Sequence, residues 1–113
     1  MLESVTTAAL TSALNGLSQR QRAIADNIAN VNTTGYHAKV VTFEDELAAA
    51  VARGSGKVTA SVSESTAPTR LNGNNVDLDT ETLANIDTVL RFQFASQAVG
   101  GAFSSVQTAL RTS

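Results

Sequence analysis

A chain of 113 residues and 11.7 kDa is the size of a single domain, yet so short a chain has difficulty burying enough apolar surface alone. Its composition is 42% hydrophobic but only 4% aromatic, with a net charge of −2 and no cysteine. A core must therefore come from Ala, Val, Leu and Ile, disulfides and thiolate metal sites are excluded, and no basic excess exists to attract nucleic acid.

Residues 4–32 place Leu10, Leu17, Ile24 and Val31 seven apart, with Leu14 and Ile28 four residues after two of them, which is the stripe of a helix. Gln21 and Gly16 interrupt the pattern, so the seam is weaker than that of a dedicated zipper. Asn30, Asn32 and Thr34-Gly35 are turn formers, and Gly35 can take the positive φ that closes a helix, so the helix is expected to end near residue 32. Tyr36 to Val41 is expected to be extended. A second helix is predicted over 43–53, because Thr42 and Asp45 have capping-box spacing, Glu44 and Glu46 suit a positive first turn, and Arg53-Gly54 closes the segment.

From Gly54 to Asn75 the composition turns to Gly, Ser, Thr and Asn, with the single proline at Pro68. This reads as a flexible linker. Val58, Ala60 and Val62 alternate with Thr59 and Ser61, leaving room for one short strand that would be barely stable unpaired. A long final helix is predicted from about 80 to 111, with Asp79 or Thr80 as N-cap and Glu81 in the first turn. Its apolar positions are Leu83, Ile86, Leu90 and Phe94, then Val99, Phe103, Val106 and Leu110, with a change of phase or a bend at Gly100-Gly101.

The surfaces of both long helices are poor in charge. Residues 82–113 carry only Asp87, Arg91 and Arg111, and residues 1–34 only Glu3, Arg20, Arg22 and Asp26. Helix faces of Ser, Thr, Gln, Asn and Ala can be packed against neighbours without the large desolvation penalty of a charge, which favours an assembly. Catalytic patterns are not visible. His37 has no cysteine or second histidine to share a metal, no serine lies in a nucleophile elbow, and no glycine loop follows a strand into a helix. The run Asp77, Asp79, Glu81 lacks the glycine and distal glutamate of a calcium loop and reads as helix capping. No enzyme, cofactor, metal or small-molecule substrate is expected.

The segment Asn27-Ile28-Ala29-Asn30-Val31-Asn32-Thr33-Thr34-Gly35-Tyr36 resembles the N-terminal signature of the flagellar axial proteins, the family of rod, hook and hook–filament junction subunits. Many relatives have proline where Thr34 stands. Asn72-Gly73-Asn74-Asn75-Val76-Asp77-Leu78-Asp79-Thr80-Glu81 is similar to the approach to the last helix in the short, proximal-rod members, although aspartate is usual at Asn72 and tyrosine frequent near Phe92. A closely related rod protein, and more distantly a needle-type subunit of a non-flagellar type III system, remain as alternatives.

The resemblance implies an all-α fold in which N- and C-terminal helices pair as an antiparallel, coiled-coil-like hairpin around a short middle helix. It divides a single axial domain, 1–113, into helix and signature (1–35), extended segment and short helix (36–53), linker (54–78) and C-terminal helix (79–113). The seam expected from both readings sets Leu10, Leu14, Leu17, Ile24, Ile28 and Val31 against Leu83, Ile86, Leu90, Phe94, Val99, Phe103, Val106 and Leu110. By the same resemblance the partners are other rod proteins, the FliE adaptor, the MS-ring protein, the flagellar type III export apparatus and further copies of the chain. Localisation would be the basal-body rod across the periplasm, reached without a cleaved signal peptide. Met1-Leu2-Glu3-Ser4 is no basic n-region, and no apolar run approaches the roughly 20 residues of a membrane span.

Overall fold

The computed structural model describes residues 2–112, apart from the side chains of residues 2–4, Phe103, Val106 and Thr112. In chain order the elements are α1 (Leu2–Ala29), β1 (Lys39–Thr42), α2 (Glu44–Ala52), β2 (Ser61–Glu64) and α3 (Leu78–Thr112). The molecule is a mainly α rod of 66 × 25 × 14 Å. Its radius of gyration of 17.6 Å compares with about 13 Å for a compact chain of this length.

α1 stops three residues before the expected 32. The Asn30 amide is shared between the carbonyls of Asp26 and Asn27, both at 3.1 Å, while its carboxamide donates to the Asp26 carbonyl at 2.8 Å. A side chain that bonds its own helix end in this way draws the last turn tight. Gly35 does adopt a positive φ of 74°, but it does not close the helix. Its N–H instead donates to the Asn72 carbonyl at 2.9 Å, a contact with the segment leading into α3.

The capping box expected at Thr42 and Asp45 does not form. Phe43 stands at the N-cap of α2, where its side chain has no atom to accept a hydrogen bond and its ring is turned into the core. The C-terminus is as the sequence suggested: Gly54, at φ 84°, donates to Val51 and Ser55 donates to Ala50, the paired bonds of a Schellman motif.

β1 and β2 pair antiparallel, with Lys39 opposite Glu64 and Thr42 opposite Ser61. The strand expected around residues 58–62 is thus displaced to 61–64 and is not alone. Residues 56–60 instead lie along α1, where the Ser12 hydroxyl donates to the Gly56 carbonyl at 2.7 Å and accepts from the Val58 amide at 3.1 Å. The linker is pinned at several further points, so its polar composition reflects hydrogen bonding rather than a free tether.

α3 starts earlier than expected. Asp77, not Asp79 or Thr80, provides the cap, its carboxylate accepting from the Thr80 amide at 3.2 Å. The helix runs unbroken through Gly100-Gly101, and a methyl group at either glycine would meet nothing within 4 Å, so no close approach of another segment explains them.

α1 and α3 lie antiparallel, since the end of α1 meets the start of α3 at Asn27 and Glu81, and Leu17 shares a cluster with Ala95. That cluster is Leu17, Ala23, Val41, Phe43 and Ala95, flanked by Ala13, Leu14, Leu47, Val58, Ala60 and Phe92. Each large side chain fully buried here contributes about 1.5–3 kcal/mol. Gly16 explains the position of Phe43: a methyl at Gly16 would stand 2.5–2.7 Å from three atoms of the Phe43 ring. The aromatic ring lies where α1 has no side chain.

Candidate assembly interface

Two features of the rod bear on function, a buried polar lock at one end and an apolar helix face left open along its length. The lock is built by the signature segment. Asn27 is completely buried, and its Oδ1 accepts from the Lys39 amide at 2.8 Å and the Tyr36 hydroxyl at 3.3 Å. Its Nδ2 donates to the Lys39 carbonyl and to Glu81 Oε1, both at 3.0 Å. The carboxamide therefore pairs with the backbone of residue 39 much as a neighbouring strand would, and ties α1, β1 and α3 at one point.

Asn74 and Asn75 repeat the device from the other side. Asn74 Nδ2 donates to the carbonyls of Asn30 and Thr33 at 2.9 and 2.8 Å, while its Oδ1 accepts from the Val76 amide at 2.8 Å. Asn75 Oδ1 accepts from the Ala38 amide at 2.7 Å, and its Nδ2 donates to Ser65 and Ala67. Arg70 closes the cluster with bonds of 2.6 Å to the carbonyls of Val76 and Val31. Gly73, at φ 81°, passes so near Gly35 that a methyl would stand 3.3 Å from the Gly35 Cα. No buried side-chain polar atom among the described residues lacks a partner, so the cluster is a satisfied network and not a vacant binding site.

Glu81 is the one carboxylate buried in the lock. Desolvation raises its pKa, with the nearby Asp77 acting in the same sense and the Asn27 hydrogen bond opposing both. Farther along, Arg20 grips Glu44 through two bonds of 2.6 and 2.7 Å, donates to the Val41 carbonyl, and lies 5.0 Å over the Phe43 ring. Arg91 of α3 adds a contact of 3.4 Å to the same carboxylate. The Arg20 hydrogen bonds hold the Glu44 pKa down to about 2.

The expected seam is only partly present within the chain. Leu17 and Ile24 are buried, Leu14 packs beside the core, Leu10 lines a groove, and Val31 and Val99 are half-buried, whereas Ile28 is exposed. On α3 most of the large residues of the expected seam face away from α1: Leu83, Ile86, Leu90, Phe94 and Leu110 are 68%, 53%, 60%, 77% and 72% exposed. The side chains of Phe103 and Val106 lie outside the described residues. What α3 turns toward α1 is Glu81, Ala84, Thr88, Phe92 and Ala95, with Thr88 fully buried and its hydroxyl bonded to the Ala84 carbonyl. These residues repeat at helical spacing too, and three of them, Ala84, Thr88 and Ala95, are small. Hydropathy alone selected the other stripe.

Between α1, α2 and α3 an open apolar groove of about 600 Å³ runs past Ala9, Leu10, Ala13, Leu17, Phe43, Leu47, Ala48, Val51 and Ala95. Its charged members, Glu44 and Arg91, are paired to each other. Of the other titratable groups, His37 is exposed and lies 3.5 Å from Glu64. No cluster of three metal-ligating side chains occurs among the described residues, and no helix there is long and apolar enough to cross a membrane.

Comparison with known proteins brings the signature and the fold together. The family of flagella basal body rod proteins matches residues 9–37, the stretch from mid-α1 through Tyr36. Over nearly the whole chain the sequence is similar to the flagellar basal body rod protein FlgB of Escherichia coli, at 32% identity across 122 aligned positions and 88% of each chain. It is 30% identical to FlgB of Salmonella typhimurium over 88% of each, and 29% identical to FlgB of Bacillus subtilis over 89% of each.

Proposed function

We propose, because this chain belongs to the flagellar basal body rod protein family, that its helices build the proximal rod by packing against those of neighbouring subunits. The protein is a structural subunit of the flagellar basal body rod and associates with other components of that structure. The observation that supports helix packing as the mode of assembly is the exposed α3 stripe of Leu83, Ile86, Leu90 and Phe94. An apolar stripe left in water by the monomer is buried when a second helix lies along it, and such burial is the main source of association energy.

In this reading the lock around Asn27 gives the hairpin its stiffness, and the stripes of α1 and α3 carry torque from one subunit to the next. Catalysis has no part in it. The adaptor FliE and the MS ring are the partners at the base, other rod proteins those above, and the flagellar type III apparatus the route of export, without a cleaved signal peptide. Residues 1–113 act as one axial unit.

The reading is tested by deleting the gene in its source bacterium and imaging purified basal bodies by electron microscopy. Rings without a rod, in cells that do not swim, are the expected result. Basal bodies with a normal rod would overturn it.

A further inference from the structure

The rod carries two apolar features on different faces, the groove between α1, α2 and α3 and the ridge Leu83, Ile86, Leu90, Phe94 on the outer side of α3. We infer that they are the two halves of one heterologous contact: the α3 ridge of one copy seats in the groove of the next. This deepens the rod-subunit reading and rests on it.

The area supports a second copy as occupant. The chain exposes 7438 Å², about 1,500 Å² more than a compact protein of its mass. A standard interface takes about 800 Å² from each partner, so the excess is what one chain needs to offer a ridge to one neighbour and a groove to another.

Charge and dimensions agree. The charged groups in the groove, Glu44 and Arg91, already satisfy each other and Arg20, so an occupant carrying a charge at its centre would strand it in an apolar cleft. Along the ridge, the charged residues between Leu83 and Phe94 are Asp87 and Arg91, joined to each other at 2.9 Å. From Leu83 to Phe94 the ridge spans about 16 Å of helix, and the α1 wall of the groove, Ala9 to Leu17, about 12 Å. A single row of side chains entering a cleft between helices is the usual mode of helix recognition.

A contact between two different surfaces leaves each copy with a ridge or a groove free for a further neighbour. It propagates, as a head-to-tail interface does, into an open helical array. The pairing of different residues separates this geometry from a symmetric ridge-to-ridge dimer.

The chain has no cysteine, so the contact can be probed cleanly by disulfide cross-linking in purified basal bodies. Ala48→Cys marks the groove and Leu90→Cys the ridge, with Val51→Cys and Ile86→Cys as an independent second pair. Cells expressing both members of a pair on separate chains should give covalent dimers on oxidation, and cells expressing either variant alone should give none. Self-linking of Leu90→Cys would overturn the inference, as would basal bodies that contain both chains but form no mixed dimer with either pair. In both cases the rod reading stands. Basal bodies lacking the chain altogether would remove the rod reading, and this inference with it.

Discussion

Asn27 shows how one side chain can carry an architectural decision. An asparagine within a helix normally weakens it, yet in the last turn of α1 both ends of the carboxamide are committed, to the backbone of Lys39, to Tyr36 and to Glu81. Aspartate at this position could accept but not donate, and would face Glu81 with a like charge. The Glu81 carboxyl is itself ill at ease, since burial raises its pKa above the ordinary 4.5. The folded state therefore favours the protonated form. Stability is undiminished below pH 4.5, and a penalty grows as pH rises through the raised folded pKa. Glu44 has the opposite sign: its pKa near 2 contributes stability above pH 4.5 that is lost as pH falls toward 2, screened because the side chain is 41% exposed. Glu81→Gln keeps the acceptor for Asn27 and removes the charge. Urea unfolding should find it more stable than the parent at pH 7, with the difference closing as pH falls to 4.5. A difference independent of pH would show that Glu81 is not the strained group.

At the scale of elements, α1 is shaped around what it lacks. Gly16 leaves space for the Phe43 ring, and through it α2 and β1 come to rest on the helix. Gly16→Ala should improve intrinsic helix propensity by about 1 kcal/mol. Overpacking against the ring costs about 1–3 kcal/mol, so the urea midpoint should fall. A raised midpoint would mean that Phe43 has room to move.

The three helices were legible in the sequence because periodicity, caps and breakers agree over long stretches, as with the stripe of α1 and the Gly54 stop of α2. Their ends were less so. Asn30 ends α1 early and Asp77 starts α3 early, each through a local side-chain bond that a count of turn formers does not resolve. The β1–β2 pair was half visible, since residues 58–62 alternate but register depends on a partner strand and on Ser12 holding 56–58 to α1. The interface was legible as a stripe on α3, not as a direction. Periodicity marks Leu83, Ile86, Leu90 and Phe94 as one face, and says nothing of whether α1 or another molecule lies against it. The small-residue face of Ala84, Thr88 and Ala95 was the missed signal, and its repeat at helical spacing could have revealed it. Asn27 and Asn74 were seen only as members of the signature and of the approach to α3, because a buried asparagine and a turn asparagine look alike in sequence.

The whole molecule is a rod whose buried polar side chains, among the described residues, are satisfied internally, while the large apolar side chains Leu83, Ile86, Leu90 and Phe94 of α3 stand exposed. A monomer selected for independence would bury Phe94 and expose Thr88, and this chain does the reverse. The two sets of contacts are separable: the core of Leu17, Phe43 and Ala95 and the lock at Asn27 hold the hairpin, and the outer face of α3 joins hairpins together. The most direct measurement pairs Leu90→Ser and Phe94→Ser, each tested for urea unfolding of the free chain and for rod assembly in cells lacking the parent gene. Unfolding should shift by less than about 0.5 kcal/mol, because both side chains already face water, while rods fail to form and motility is lost. Normal rods and full motility with both substitutions would contradict the assembly role of that face.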